Sequence, residues 1–330
     1  MSMRYLESPS TDPAFNLALE QVVFDRLPRD RGYFMLWQND NAIIVGRHQD
    51  TAQEVDAAFV RDHGIRVVRR LSGGGAVYHD LGNLNFTYVV DAAGSGVDLG
   101  RFCRSIADAL AALGVRAEVS GRNDLTVDGK KFSGNAQYVK EGRVMHHGTI
   151  LFDSDLTVVT RALRPPVEKL ASKAVASVRG RVTNLKPYLP QGTTLDDFKA
   201  QLVCAMSQGG AMEPRRFTQA ELDEAEALRT SRYGTWEWNY GQSPAGTVCK
   251  RRRIEGCGMV EAHLSLAQGR IAGVDLRGDW FGAEDLTALL APLTGLPLDC
   301  ETLSAALSEL DVTQYVVGLT RKTLAELLAE

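Results

Sequence analysis

The stretch RRLSGGGAVYHDLGN, residues 69–83, contains three consecutive glycines and follows an apolar, β-branched run, residues 65–68, that predicts a strand. Glycines allow the backbone to approach a ligand closely and to direct N–H groups at negative charge. The two arginines before them supply planar, permanently charged donors that suit phosphate or carboxylate. The stretch lacks the Gly-Lys-Ser/Thr sequence of a Walker A loop. A tight turn would also explain the glycines, but the arginines and His79-Asp80 favour an anion-binding loop.

A second segment, GRNDLTVDGKKFSG at residues 121–134, contains an Asp-Gly pair that predicts a tight hairpin turn. Alternation along the strand after that turn predicts that Lys131 and Ser133 share one face while Phe132 takes the other. A lysine in such a place can act as a fixed cation. The alternative is that the lysine pair only makes the tip of the hairpin soluble.

Two further segments carry polar residues where a site could form. HHGT, residues 146–149, has adjacent histidines that point to opposite faces of a strand, so at most one of them enters a site. A metal-binding pair on one strand face needs i, i+2 spacing, which favours a packing or hydrogen-bonding histidine here. SVRGRVTNL, residues 177–185, combines arginines with small residues, and this predicts either a loop that closes over a phosphate or a plain surface loop.

The composition is that of an ordinary globular chain. Its 330 residues predict two domains, and its 44% apolar and 24% charged residues are typical of soluble proteins. The formal net charge of -4 predicts no nucleic-acid partner and no membrane partner. We see no signal peptide and no apolar run of membrane-spanning length. The five cysteines are scattered without a CxxC pair, which favours free thiols in the cytoplasm over disulfides or zinc.

The order of strand and helix signals predicts an α+β fold. Asp12-Pro13 predicts the start of a helix, and the apolar stripe from Leu99 to Leu113 predicts another. Strands are predicted at residues 33–37, 42–45, 65–68, 84–90, 115–119, 125–127, 132–139 and 144–152. A helical pattern that ends at Gly241 and Pro244 indicates a domain boundary near residue 246. Beyond it we predict a solvated turn at 250–253, strands at 260–266 and 271–276, and helices at 283–290, 303–310 and 320–328.

Together these segments resemble the lipoate–protein ligase A family of the biotin/lipoate ligase superfamily. The resemblance runs in order over nearly the whole chain, through FNLALE (15–20), LWQN (36–39), IVGR (44–47) and WEWNYGQSPA (236–245). It implies an α+β fold with a large catalytic domain of mixed β-sheets and flanking helices, residues 1–245, and a small α+β C-terminal accessory domain, residues 246–330. It also implies an acid–amine ligase that uses ATP to activate (R)-lipoate as lipoyl-AMP and then transfers the lipoyl group to an acceptor lysine.

The resemblance implies roles for particular residues. Lys131 would be the catalytic cation that bridges the lipoyl carbonyl and the α-phosphate, and Asp124 would bind Mg²⁺ or position Lys131. The expected ATP and adenylate ligands are Arg70, Gly75, Ala76, Val77, Tyr78, Lys131, Ser177, Val178 and Arg179. The expected lipoate ligands are Arg70, Ser72, Gly74, His79, Lys131, His147 and Gly148. The expected acceptors are apo lipoyl domains of 2-oxoacid dehydrogenase E2 subunits and the glycine cleavage H protein, and the enzyme would be a monomer.

Three alternatives remain at the level of sequence. An octanoyl- or lipoyl-transferase of the same superfamily that works through a thioester needs a nucleophilic cysteine, and no cysteine lies between Cys103 and Cys204. Biotin ligation is disfavoured because the sequence of residues 69–80, RRLSGGGAVYHD, favours lipoate. A non-catalytic binder of lipoyl domains is disfavoured because Lys131 and the arginines are retained. The sequence leaves open whether lipoate or octanoate is preferred, and whether the accessory domain moves between the two steps.

Overall fold

A computed structural model describes residues 3–49, 51–91, 99–121, 123–162, 181–207, 212–240, 248–267, 270–282 and 285–329. The first elements are β1 (Met3–Glu7), α1 (Pro13–Arg26), β2 (Gly32–Trp37), β3 (Ala42–Val45), α2 (Thr51–Glu54), α3 (Ala57–Asp62), β4 (Arg66–Arg69), β5 (Val77–His79), β6 (Asn83–Asp91), α4 (Leu99–Ala112), β7 (Glu118–Ser120), β8 (Asp124–Val127), β9 (Lys130–Lys140) and β10 (Arg143–Leu151). They are followed by α5 (Leu156–Ala162), α6 (Leu195–Met206), β11 (Glu213–Pro214), α7 (Gln219–Leu228), α8 (Trp236–Asn239), β12 (Val248–Ile254), β13 (Gly258–Ala267), β14 (Arg270–Gly278), α9 (Thr287–Leu290), α10 (Cys300–Ala306), α11 (Val312–Tyr315) and α12 (Arg321–Ala329). This mixture confirms the predicted α+β class.

Three sheets organise these elements. The large sheet is mixed, with strand order β11-β1-β2-β6-β10-β9-β8-β7. In it β1 and β2 run parallel, whereas β2, β6, β10 and β9 pair antiparallel. A small sheet has the order β4-β3-β5, and a third sheet has the order β12-β13-β14. The segment with the three glycines joins β4 to β5, so the small sheet positions it.

The large sheet is covered on both faces. The first face packs against α4 and α6 in an apolar core that includes Phe86 and Phe132. The second face packs against α1 in another core, which includes Met35. Thr87 pairs with Met35 on one side and with His147 on the other. Because directly opposed residues of neighbouring strands share a face, these polar residues lie on the second face, under α1.

The first helix, α1, is fixed at both ends. The Asp12 side chain accepts a hydrogen bond from the N–H of Phe15 at 2.8 Å, as predicted for a helix that begins here. At the other end Arg143 donates to the carbonyl oxygens of Phe24 and Leu27. These bonds satisfy groups that the end of a helix leaves without partners inside the helix. The position of α1 over the sheet is therefore well defined.

The hairpin of β8 and β9 differs from the prediction in one respect. Its turn has positive φ at both central residues, as predicted. However, Lys131 pairs with Thr126 while Ser133 pairs with Leu125, so a β-bulge inserts one extra residue between them. Ser133 therefore lies on the face of the buried side chains of Leu125 and Phe132. The prediction that Lys131 and Ser133 share a face is wrong, because the bulge breaks the alternation.

The C-terminal segment has an apolar core of its own. Strands β12, β13 and β14 form an antiparallel sheet that α9, α10 and α12 cover. The predicted strands and the last two predicted helices are confirmed with shifted ends, and the helix predicted at 283–290 is observed from Thr287. The predicted boundary near residue 246 lies outside the described residues. In the ranges given above, none of the helices has the length and apolar character needed to cross a membrane.

The basic run at 250–253 is not a solvated turn. It belongs to β12, where the Lys250 ammonium donates to the carbonyl oxygen of Leu328 at 2.6 Å. Arg251 forms an ion pair with Glu261 at 3.0 Å on the neighbouring strand. The strand alternates between exposed and half-buried positions. Four basic residues in succession hide that period of two from a reading of polarity alone, and the prediction failed for this reason.

Candidate functional site

A cavity of about 380 Å³ opens between the second face of the large sheet, the small sheet and the C-terminal segment. It brings together most of the predicted site residues. Those that line it are Arg70, Gly74, Gly75, Ala76, Val77, His79, Asp124, Lys131, His147 and Gly148. Leu17, Trp37 and Ile44 add apolar wall. Such a cavity suits a ligand with an anionic head and an apolar tail.

One row of residues across the large sheet gives the cavity a direction. Trp37 is opposed to Asn85, Asn85 to Thr149, and Gly134 to Asp124. The N–H of Gly134 donates to Thr149 Oγ1 at 3.2 Å and joins the two halves of the row. Neighbouring strands are about 4.8 Å apart, so Gly134 and Asn85 are separated by about 10 Å. The charged end of the row is at Asp124, and its aromatic end is at Trp37.

Lys131 is held at the charged end of this row. Its Nζ lies 2.7 Å from Asp124 Oδ1, and its side chain is 38% exposed. The side chain crosses Gly134, where an added Cβ would lie 3.0 Å from Nζ and 3.2 Å from Cε. On the main chain, the Thr183 N–H donates to the Lys131 carbonyl oxygen at 2.8 Å. Val182 forms an isolated parallel β-bridge with Lys131. Lys131 is therefore positioned by three segments and is still open to a ligand.

Arg70 shapes the glycine loop from the inside. Its Nη2 donates to the carbonyl oxygens of Gly73 at 2.7 Å and Gly75 at 2.9 Å. Its Nε donates to Ser72 Oγ at 3.0 Å, and its Nη1 donates to Ile44 O at 3.1 Å. Burial lowers the pKa of Arg70 to about 10, so the group is still charged at neutral pH. Because its donors are directed at the chain itself, Arg70 organises the loop more than it offers a free cation.

Close contacts require the glycines of the loop. Gly74 has a φ of 93°, and an added Cβ on Gly46 would lie 1.9 Å from Gly74 O. A Cβ on Gly73 would lie 2.2 Å from the carbonyl oxygen of Trp280, which also accepts a hydrogen bond from Gly74 N–H at 2.9 Å. The C-terminal segment therefore touches the loop directly. In the described part of the chain, the N–H of Gly75 has no acceptor, and it is available to an anion.

A buried hydrogen-bond chain, with Glu20 at its end, was missed by the sequence analysis. Arg70 donates to Ser72, Ser72 Oγ–H donates to His147 Nε2 at 2.6 Å, and His147 Nδ1–H donates to Glu20 Oε1 at 2.7 Å. Thr87 also donates to Glu20 Oε1, at 2.6 Å. Glu20 is 1% exposed. It fixes the histidine that lines the cavity and, through Ser72, the glycine loop. The available signal was a lone acidic residue in the apolar run of α1.

His79 is held in one tautomer. Asn16 Nδ2 donates to Gln38 O and to Asn39 Oδ1, so the Asn39 amide turns its Nδ2 towards His79 Nδ1 at 3.1 Å. Burial, helped by the charge of Arg70, lowers the pKa of His79 to about 3. The neutral ring therefore accepts at Nδ1 and carries its proton on Nε2. That Nε2 is buried and has no hydrogen-bond partner among the described residues.

Other predicted residues lie elsewhere. Tyr78 does not line the cavity, because alternation along β5 turns it to the other side of the small sheet, where its hydroxyl donates to Asn41 Oδ1 at 3.1 Å. His146 faces the first core and stacks on Phe102, so one histidine of the adjacent pair enters the site, as predicted. Residues 177–179 lie outside the described residues. Where the chain is described, no group of three or more metal-binding side chains is found.

A second, larger cavity of about 1450 Å³ contains none of the predicted site residues. Arg47 and Arg232 line it and stack on the ring of Trp238, at 4.4 Å and 5.0 Å from its centroid. Cations and carboxylates are mixed along its wall. The predicted site residues that line a cavity are therefore all in the smaller one.

Comparison with known families gives two matches along the chain. Residues 12–207 match the family described as lipoyl protein ligase A/B catalytic domain, and residues 243–328 match the one described as bacterial lipoate protein ligase C-terminus. Lipoate–protein ligase 1 of Staphylococcus aureus is 38% identical over 320 residues, which cover 97% of this chain and 97% of the relative. The lipoate-protein ligase LplJ of Bacillus subtilis is 35% identical over 321 residues, with coverage of 96% and 97%.

Solved structures show the same likeness. A lipoate-protein ligase A with bound ATP is 27% identical, with a TM-score of 0.63 over 73% of this chain and 99% of that chain. A bipartite ligase of Thermoplasma acidophilum, studied with its E2 lipoyl domain, is 28% identical, with a TM-score of 0.65 over 75% and 100%. LipL1 of P. falciparum in complex with lipoate has a TM-score of 0.80 over 99% and 98% of the two chains. At 22% identity this last likeness concerns the fold alone.

Proposed function

The chain belongs to the lipoyl protein ligase A/B family, and on that basis we propose that it is an ATP-dependent lipoate–protein ligase. One observation carries the proposal. Lys131, paired with Asp124 at 2.7 Å, lies at the charged end of a cavity that has a glycine loop beside it and apolar wall beyond it. A carboxylate, a phosphate and an acyl tail can meet there. The proposed ligand set is the one that the resemblance implies, without Tyr78, which faces away from the cavity, and with Arg70 and Ser72 acting through the shape of the loop.

The first step joins lipoate to AMP. A lipoate carboxylate oxygen attacks the α-phosphorus of ATP, and the bond to the pyrophosphate oxygen breaks. Both reactants are anionic, so fixed cations and backbone N–H groups lower the barrier most. Lys131 supplies the cation, and Gly75 supplies an N–H that has no other acceptor among the described residues. Gly74, Ala76 and Val77 let the two substrates approach the loop closely.

The second step moves the lipoyl group to the acceptor. The neutral amine of an acceptor lysine attacks the carbonyl carbon of lipoyl-AMP, AMP leaves with the bonding electrons, and the nitrogen loses a proton as the amide forms. Lys131 stabilises the oxygen on which charge develops. Ser177, Val178 and Arg179 close over the adenylate. Support for this assignment comes from Val182, a later residue of the predicted loop 177–185, which bridges Lys131.

The residues present fit a magnesium ion that arrives with ATP. Mg²⁺ uses one or two protein carboxylates together with phosphate oxygens, and Asp124 contributes a carboxylate to the cavity. Asp124 Oδ1 is paired with Lys131, so its second oxygen is the candidate ligand. A bound Mg²⁺ would neutralise charge on the phosphates. The main duty of Asp124 is to position Lys131.

Further parts of the proposal concern organisation and partners. Residues 1–245 form the catalytic domain, and residues 246–330 form the accessory domain, which contacts the glycine loop through Trp280. Acceptors are apo lipoyl domains of E2 subunits and the glycine cleavage H protein. The proposal places the enzyme in the cytoplasm as a monomer. A thioester-forming transferase is disfavoured because, within the ranges that the structure covers, no cysteine lines the cavity and Cys103 is buried in the first core.

Lipoate-dependent exchange of pyrophosphate into ATP tests the proposal. We expect Lys131→Ala to lower the exchange rate by at least about a hundredfold, because it removes the cation at the reacting atoms. Lys140→Ala, on the same strand and 55% exposed, is the matched control and should exchange at the rate of the unchanged protein. The absence of exchange in the unchanged protein would exclude a ligase. A normal rate for Lys131→Ala would exclude the role given to Lys131.

A further inference from the structure

Two donors at the aromatic end of the cavity have no partner within the protein. The neutral ring of His79 carries its proton on Nε2, which is buried and unpaired among the described residues. One hydrogen bond, at 3.0 Å, joins the amides of Asn83 and Asn85, and with Asn85 Oδ1 as its acceptor the Asn85 Nδ2 group and Asn83 Oδ1 are buried and, within the same ranges, without a partner. Native proteins rarely leave buried donors unpaired. Two such donors therefore point to a ligand that accepts hydrogen bonds.

The two donors belong to one place. Asn85 is opposed to Trp37 across the strand pair, and the ring of Trp37 lies edge-on to the ring of His79 at a centroid distance of 6.3 Å. All three side chains line the cavity together with Leu17 and Ile44. Trp37, Leu17 and Ile44 form the apolar part of these surroundings, and Thr149 lies opposite Asn85 on the neighbouring strand. An acceptor there would find a dry environment, in which a hydrogen bond counts for more than in water.

The distance from the charged end is that of an acyl chain. The Lys131 side chain crosses Gly134, and Gly134 is about 10 Å from Asn85 across two strand spacings. Lipoate spans a comparable length between its carboxylate and its five-membered dithiolane ring. A carboxylate at Lys131 therefore places the ring beside the two donors.

Resting on the proposed function, we infer that His79 and Asn85 form a subsite that donates hydrogen bonds to the dithiolane sulfurs and so selects lipoate over an unsubstituted eight-carbon acid. Sulfur is a weak hydrogen-bond acceptor, but without it the two donors have no acceptor. Octanoate would cover both donors with methylene groups and leave them desolvated and unpaired. A site built for polar partners discriminates against an analogue that lacks them.

The test compares ligands of one shape. The probes are lipoate, octanoate and 5-cyclopentylpentanoate, which keeps the ring and lacks both sulfurs. The kinetics of pyrophosphate exchange into ATP are measured with the full chain in the presence of each acid. We expect kcat/KM for lipoate to exceed that for the cyclopentyl acid by roughly tenfold, the effect of about two weak hydrogen bonds. Equal values would overturn the inference and leave the proposed function intact, whereas no exchange with any acid would overturn both.

Two variants locate the effect. Asn85→Leu and His79→Phe each remove one donor at similar volume, and each should lower the ratio of kcat/KM for lipoate to kcat/KM for the cyclopentyl acid by about threefold, whatever its effect on the absolute rates. Gln137→Leu is the matched control, since it removes another buried amide that does not line the cavity, and its ratio should equal that of the unchanged protein. If one variant fails to fold, the other decides. An unchanged ratio in a folded variant would overturn the inference.

Discussion

Gly134→Ala tests the placement of Lys131 without touching its chemistry. An added Cβ at Gly134 would lie 3.0 Å from Lys131 Nζ and 3.2 Å from Cε, with Asp124 Oδ1 at 3.9 Å. The two separations from Lys131 are tighter than nine in ten real Cβ contacts, whereas the one from Asp124 is an ordinary contact. The backbone at this position has no positive φ, so the extra methyl group itself fits the strand. The Lys131 side chain must therefore move, and it loses its position over the row of the large sheet.

The structure gives different magnitudes for stability and for rate. In the ion pair, the side chain of Lys131 is 38% exposed and that of Asp124 is 34% exposed. A pair of that exposure stabilises a fold by about 1 kcal/mol or less. A reacting group displaced by about 1 Å can slow a reaction by about a hundredfold, and the contact here requires a shift of a few tenths of an ångström. We expect the rate of lipoyl-AMP formation to fall by roughly three- to tenfold, while Tm falls by no more than about 3 °C.

The assay is lipoate-dependent pyrophosphate exchange, read beside a thermal melt. Gly273→Ala on β14 is the matched control, because its added Cβ would meet Ser265 Cβ at 3.9 Å, an ordinary contact. The control should match the unchanged protein in both measurements. A normal exchange rate in Gly134→Ala would refute the reasoning, since it would mean that the lysine ammonium can be displaced at no cost. A large loss of Tm would refute it in another way, by placing the strain in the fold.

Three other perturbations have defined outcomes. Glu20→Ala leaves buried donors of its hydrogen-bond chain unpaired and should destabilise the fold by about 2–4 kcal/mol in urea unfolding; Glu20→Gln keeps the acceptor oxygen and should lose less, and equal losses would contradict the chain. Gly46→Ala would put its Cβ 1.9 Å from Gly74 O, so the glycine loop must shift and exchange should fall by at least about a hundredfold; a normal rate would show that the loop tolerates the shift. Acid should weaken the fold through His79, whose pKa is about 3 in the folded state and about 6.5 when unfolded. The unfolded chain then binds a proton that the folded chain does not, so stability is full above pH 6.5 and falls below it by up to about 1.4 kcal/mol per pH unit. His79→Phe should reduce that slope between pH 6.5 and 4.5, and an unchanged slope would speak against a buried neutral ring.

Much of the frame around the site follows from local sequence. Runs of β-branched and aromatic residues bounded by turns predict β2, β3, β6 and β10, and the structure has them close to the predicted bounds. Asp12 predicts the cap of α1, and Asp128-Gly129 predicts the turn that carries Lys131 into the site. These features depend on neighbours within a few residues, which is the range over which propensity and alternation act.

Features that depend on distant residues were not predictable in the same way. The bulge that separates Lys131 from Ser133 arises from the register with β8, and β12 shows its alternation only once Glu261 and Leu328 receive its basic side chains. Glu20 acquires its role from His147, 127 residues away. Such long-range pairings cannot be inferred from a single sequence. The role of a charged residue in an apolar helix is therefore evident only when the fold shows its partners.

The same distinction separates the two cations that the sequence offers. Arg70 is 6% exposed, and four of its five N–H donors are directed at oxygens of its own chain, so most of its hydrogen-bonding capacity is used within the loop. Lys131 is 38% exposed, and the ion pair that the structure shows for it is with Asp124. An incoming carboxylate and phosphate can compete for that ammonium at little cost to the fold. The glycine loop and the hairpin lysine therefore divide the work: Arg70 keeps the shape into which the substrates fit, and Lys131 meets the charge that develops during the reaction.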